Sequence, residues 1–432
     1  MTARLRWHAP LLVLWVAVVG LFSYASAPDI LPAFSEDTSN ALRRSGRIMQ
    51  ALFLVEARAA VEGWDAALLR TAGELWLEAG DVFRALGYLE AAAAASPDDS
   101  ALGRFLAQQY IELQQWDDAA RALERLVERG PDERWAHLQL GLIRAPVDPL
   151  TGEAHLRQAM TEPAYVEISV ALLDALRRDR GLPVSFEVGL ALVDAGQWPY
   201  AELAFRHAAA LDGTQARALA YTALARGRQG KDGRPWIERA IAASPDDPQI
   251  HFLHGLYLRD AGDFTGSVDA LVQALALDPE NPAYHAELGS AYRLLRDLNH
   301  AEYWLRSAVQ VSEGDPRFEE LLALFYADEA QQLTDEGLHA LGLIAGRLQQ
   351  DADVRAGLGW ALVQAGRIEE GQAEIDAALA LEPHNPRVLY YAGRVAMETG
   401  DVAGAARLLG RLAGMVSPYA GEASALLQTL AQ

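Results

Sequence analysis

IHFLHGLYLRDAGDFTGSVDALVQALALDPENPAYHAELGSAYRLLRDLNHAEYWLRSAV, residues 250–309, holds two successive units in which Gly255 and Gly289 stand 34 residues apart. Outward from this stretch the same phase is held by Gly73, Ala107, Gly141, Gly189, Ala223, Ala323, Gly359 and Gly393. The 34-residue step recurs from Gly73 to Ala107, from Ala107 to Gly141, and from Gly359 to Gly393. A period of this length marks stacked helical hairpins. The expected fold is all-α, an α-α superhelical solenoid of hairpins behind one transmembrane helix or signal segment. Such stacks build extended surfaces that hold other chains, whereas catalysis needs polar groups converging in a pocket.

Composition agrees. The 432 residues are 51% apolar and 22% charged, enough to bury a large core, and a single compact core would normally split at this length. A solenoid grows along one axis instead. The net charge of -22 disfavours nucleic acid and anionic lipid headgroups, which need clustered Lys and Arg. With no cysteine, disulfides, thiolate nucleophiles and Cys-ligated metals are excluded.

Arg4 and Arg6 precede an uncharged run over residues 7–27, whose most apolar part is LLVLWVAVVGLF, residues 11–22. Such a run is long enough to cross a hydrocarbon core, and basic residues ahead of it keep the N-terminus cytoplasmic. An uncleaved single-pass anchor would place the repeat domain outside the cytoplasm. The second reading is a signal peptide cut after Ala25-Ser26-Ala27 or Ser23-Tyr24-Ala25, giving a secreted or periplasmic chain, although Pro28 fits poorly after the first triplet. In a third, the chain is a soluble cytosolic adaptor and the apolar run a docking helix.

From Ala66 to Ala431 the residues fall into blocks. The block at 66–99 carries Gly73, Trp76, Gly80, Ala85, Leu89, Ala92 and Pro97, and the block from Pro282 carries Gly289, Tyr292, Ala301, Leu305 and Ala308. Small residues at the eighth and twentieth positions let two helix backbones approach, and large apolar residues fill the space between hairpins. Glycine at the turn accepts a left-handed backbone, and proline opens a helix without needing an amide donor. In this pattern the chain resembles the tetratricopeptide repeat family, with about ten repeats or degenerate repeats. The resemblance implies two antiparallel helices per repeat and a groove that binds protein or peptide partners.

Departures from the pattern divide the chain. Residues 1–27 are the anchor or signal, and 28–65 a linker and N-terminal capping helix that begins near Asn40 and runs to about Gly63. Residues 66–133 form an N-terminal repeat stack. Residues 134–181 are too long for one repeat and read as an irregular joint with an extra helix, broken early at Pro146 and Pro149. Residues 182–417 form a C-terminal stack and 418–432 a capping helix. Within that stack GKDGRPW, residues 230–236, shortens one repeat, and the segment from Pro316 lacks the turn glycine.

By the phase that the resemblance implies, inward-facing positions include Arg70 and Arg104 near the start, then Phe186, Leu190, Phe252, Leu256 and Arg259. Toward the end they include Arg293, Trp360, Tyr390 and Arg394. Family members that clamp a C-terminal carboxylate carry Lys and Asn at such positions, and this chain has neither there. An apolar centre with spaced arginines suits an amphipathic helix or an extended segment carrying acids.

Chemical motifs are sparse. His251 and His254, with His285 and Glu287 one hairpin later, suggest a metal only weakly, because His254 falls at a core position of the repeat. GRQGKDG, residues 227–233, lacks phosphate-loop spacing. No catalytic residue, metal, cofactor, nucleic acid or small-molecule substrate is expected. The leading expectation is a membrane-tethered scaffold for partner polypeptides, in a cell-envelope or exopolysaccharide assembly. The alternatives are a solenoid subunit of an enzyme or of a metal- or glycan-binding complex, and the cytosolic adaptor.

Overall fold

The computed structural model describes residues 36–130, 133–178, 182–211 and 216–430. Among the described residues there are 24 α-helices, two 3-10 turns and no strand. The hairpin of Pro282–Leu294 and Leu298–Val311 shows how the sequence builds each unit. The Asn281 side chain accepts the Ala283 N–H, and Pro282 occupies the first turn, where no donor is required. The helix stops at Arg296, whose φ of +62° turns the chain while its N–H and that of Asp297 bond back to Arg293 and Tyr292. Gly80, Gly262, Gly366 and Gly400 hold the same slot elsewhere, at φ of +80° to +83°. Asp297 then caps the second helix by accepting the His300 N–H. Asp65, Asp81, Asp99, Asp263, Asp351 and Asp401 cap other helices likewise, which gives part of the acid excess a structural use.

The repeating small residue locks the two helices together. A Cβ at Gly289 would lie 2.7 Å from Leu305 Cγ, at Gly255 2.7 Å from Leu271 Cγ, and at Gly393 2.6 Å from Leu409 Cδ2. Each partner leucine is buried and contributes about 2 kcal/mol by leaving water. Between Ala352–Gln364 and Ile368–Leu381 glycine faces glycine. A Cβ on Gly359 would meet the Gly371 carbonyl oxygen at 2.8 Å, and one on Gly371 would meet the Gly359 oxygen at 2.6 Å.

The chain divides into two compact units between Ala208 and Ala209. In the first, Ala66–Glu78 pairs with Val82–Ala95, Ser100–Glu112 with Trp116–Arg129, and Arg134–Arg144 with Pro149–Ala159. The additional helix Val166–Arg177 packs on both Pro149–Ala159 and Val184–Asp194. In the second, hairpins follow from Ala216–Gly227 with Arg234–Ala243 to Pro386–Glu398 with Val402–Ala413, and Ala420–Leu430 covers the last. Its core runs continuously from Ala301 through Tyr326, Trp360 and Tyr391 to Ala423.

Two features differ from the sequence reading, and a third fills in what it left open. The helix expected from Asn40 to Gly63 is two, Glu36–Arg44 and Ile48–Glu62, because Gly46 turns left-handed at φ +74°. The irregular segment expected as a joint lies within the first unit, since its hairpin packs on Trp116–Arg129 and its extra helix on Val184–Asp194. In place of the missing turn glycine near residue 330, a 3-10 turn, Ala330–Gln332, precedes Asp335–Arg347. Among the described residues no helix is long and apolar enough to cross a membrane. The anchor or signal run at 7–27 lies outside the described residues.

Candidate functional site

The repeat phase that the resemblance implies nominates eleven positions, and the structure puts them in different surroundings. Arg70 pairs with Glu74 at 3.0 Å and Asp99 at 3.6 Å, and Arg104 pairs with Glu133 at 2.5 Å beside the Trp135 ring. Phe186, 4% exposed, meets Phe205 edge-on with centroids 5.4 Å apart, and Leu190 is half-buried beside it in sequence. Phe252 lies 5.0 Å from Tyr284, Leu256 is half-buried, and Arg259 is bound by Glu287. Burial pushes the Glu287 carboxyl above its ordinary range, and Arg259 opposes that shift. Trp360 is 1% exposed and therefore supports the surface instead of forming it.

Arg293, Tyr390 and Arg394 are brought together in the second unit, at the mouth of a cleft of about 460 Å³. Its walls come from successive hairpins. Pro316–Asp328 packs on Ala352–Gln364, which packs on Pro386–Glu398, so residues far apart in sequence face one space. Close approach here again depends on small residues: a Cβ on Gly357 would lie 2.6 Å from Ala327 Cβ.

Charge in the cleft is arranged pairwise. Arg293 donates to Asp328 at 2.8 Å and to Glu329 at 3.4 Å, and Arg296 donates to Glu329 at 3.4 Å. Asp328 also accepts the Tyr391 hydroxyl, which ties two hairpins together. The Tyr390 hydroxyl donates to Glu422 at 2.5 Å and accepts from Arg394 at 3.2 Å. Burial first, then the Glu422 hydrogen bond, pushes the Tyr390 phenol well above its ordinary range, so it remains a neutral donor. Tyr390 and Tyr419 stack with centroids 5.0 Å apart. The Arg394 guanidinium lies 3.9 Å from the centre of the Trp360 ring.

Helix phase missed Arg296, Glu329, Gln332, Tyr419 and Glu422. Arg296 sits one residue past a helix cap, Gln332 in the 3-10 turn and Glu422 in the closing helix, none of them on a repeat's first-helix face. Clefts among the described residues of the first unit include one of about 360 Å³ around Tyr110 and Arg125 and one of about 630 Å³ around Gln139 and Tyr165. Two of the three histidines considered as metal ligands are engaged locally: His251 faces the Pro245 carbonyl at 2.6 Å, and His285 the Pro279 carbonyl at 2.9 Å and Ser307 at 3.0 Å. Among the described residues no three metal-ligating side chains converge.

Tetratricopeptide repeat models match residues 42–140, 252–316 and 357–419, together more than half of the chain. Among solved structures, yeast Tom70 is similar over 92% of this chain and 94% of its own, at 13% identity and a TM-score of 0.44. A tetratricopeptide repeat protein from Parabacteroides merdae ATCC 43184 is similar over 61% and 100%, at 15% identity and a TM-score of 0.46. The APC/C hetero-tetramer Cut9-Hcn1 is similar over 95% and 99%, at 13% identity and a TM-score of 0.45. No curated protein sequence matches the chain.

Proposed function

Because the chain belongs to the tetratricopeptide repeat family, we propose that it is a non-enzymatic scaffold holding partner polypeptides in the cleft around Arg293, Tyr390 and Arg394. We further propose that it is tethered by residues 7–27 with its repeats outside the cytoplasm, serving a cell-envelope or exopolysaccharide assembly. The observation that carries the scaffold reading is the cleft itself. Several hairpins contribute to it, and Arg293, Arg296, Gln332, Arg394 and Glu422 gather polar groups around one space. The tether rests on Arg4, Arg6 and the uncharged run behind them.

One experiment tests both parts. The full chain, expressed in its own cells, is fractionated and crosslinked, and its partners are compared with those of Gln332→Trp, which fills the cleft from an exposed position. We expect the chain to sediment with membranes until detergent is added, and the variant to lose partners that the native chain captures. Release without detergent contradicts the tether. Identical partners from both chains contradict the cleft.

A further inference from the structure

We infer that the cleft in the second unit takes an acidic side chain of its partner, and that Arg394 is the group that binds it. This rests on the reading of the cleft as a polypeptide site and adds the chemistry of what enters.

Three acids border the space, and each already serves a donor: Asp328 accepts from Arg293 and Tyr391, Glu329 from Arg293 and Arg296, and Glu422 from Tyr390. Arg394 is different. Its contacts are the Trp360 ring at 3.9 Å, the Tyr390 ring at 5.4 Å and the Tyr390 hydroxyl at 3.2 Å, and no ion pair of Arg394 occurs among the described residues. A guanidinium laid on an aromatic face keeps the N–H groups along its edge available, and that edge matches a carboxylate with two parallel hydrogen bonds. Trp360 is fully enclosed, so the platform that orients Arg394 is rigid. Beside it, Tyr390 is buried against Tyr419 and holds its hydroxyl toward Arg394 and Glu422, so the cleft presents polar groups to what enters. The occupant is thus an extended or helical segment that presents Asp or Glu to Arg394.

The net charge of -22 does not oppose this at short range. At physiological ionic strength, charges more than about 8 Å away are largely screened, and the acids inside that range already accept from donors of the cleft, Asp328 and Glu329 from Arg293 and Glu422 from Tyr390.

The test uses the full chain in mild detergent and two fluorescent heptapeptides with blocked ends, one alternating Glu and Leu, the other Gln and Leu. Blocked ends leave the side chain as the sole source of carboxylate. The Glu peptide should bind at least about ten-fold more tightly, a difference of about 1.4 kcal/mol. Arg394→Met should reduce it to the level of the Gln peptide, with the helical circular dichroism unchanged, and Arg394→Lys should restore only part of the preference. Equal affinity of the native chain for both peptides overturns the acid assignment while leaving polypeptide binding intact. Failure of both peptides to bind overturns both readings, and the comparison on the native chain stands even if Arg394→Met does not fold. A preference that survives in folded Arg394→Met also overturns the role of Arg394.

Discussion

Gly371→Val should lower the stability of the second unit by on the order of 3 kcal/mol, seen as a lower denaturation midpoint. The added Cβ would sit 2.6 Å from the Gly359 carbonyl oxygen and 2.6 Å from Val363 Cγ2. The first of these atoms is backbone and cannot rotate away, so Ala352–Gln364 and Ile368–Leu381 must separate. Separation opens the interface on both sides, because a solenoid repeat is stabilised by its neighbours. Gly342→Ala is the matched control. It lies within Asp335–Arg347, where a Cβ would meet nothing within 4 Å, so alanine should stabilise by about 0.5–1 kcal/mol through its helix propensity. Equal effects of the two substitutions would show that close approach is not what the glycine provides.

Trp360→Ala should cost about 3–5 kcal/mol, the range for removing a large aromatic from a core. Trp360 is enclosed within the continuous core of the second unit, and its ring also carries the Arg394 guanidinium. Two losses should therefore appear together: a lower midpoint in denaturant, and loss of the preference for the Glu peptide under conditions where the variant is still folded. Trp360→Phe keeps a ring in place and should lose less of both. If Trp360→Ala retained the peptide preference while folded, Arg394 would not depend on its aromatic platform.

The two substitutions fall on opposite sides of what could be read from sequence. Gly255, Gly289 and Gly393 announce their role because each faces a leucine sixteen residues further on, a contact within one hairpin that the period exposes directly. The helix starts were equally legible, since Asp and Asn caps and first-turn prolines act locally. The cleft was less so. Arg293, Tyr390 and Arg394 could be selected by helix phase, but the depth of Trp360 depends on how successive hairpins pack, which no single repeat encodes. Glu422 belongs to a closing helix outside the period, and Gln332 to a 3-10 turn that replaces a glycine-ended one. The break at Gly46 rests on a local cause: apolar positions stand on both sides of it, at Leu42 and Ile48, and one left-handed residue between them decides the outcome.

Photo-crosslinking in living cells tests the central claim most directly, with a light-activated residue placed at Gln332 in the cleft or, as control, at Gln372 on the exposed side of Ile368–Leu381. The account predicts discrete polypeptide adducts from position 332, suppressed when Arg394→Met is added, and none of the same adducts from position 372. The same adducts from both positions, or none from position 332, would contradict a polypeptide-binding cleft in the second unit.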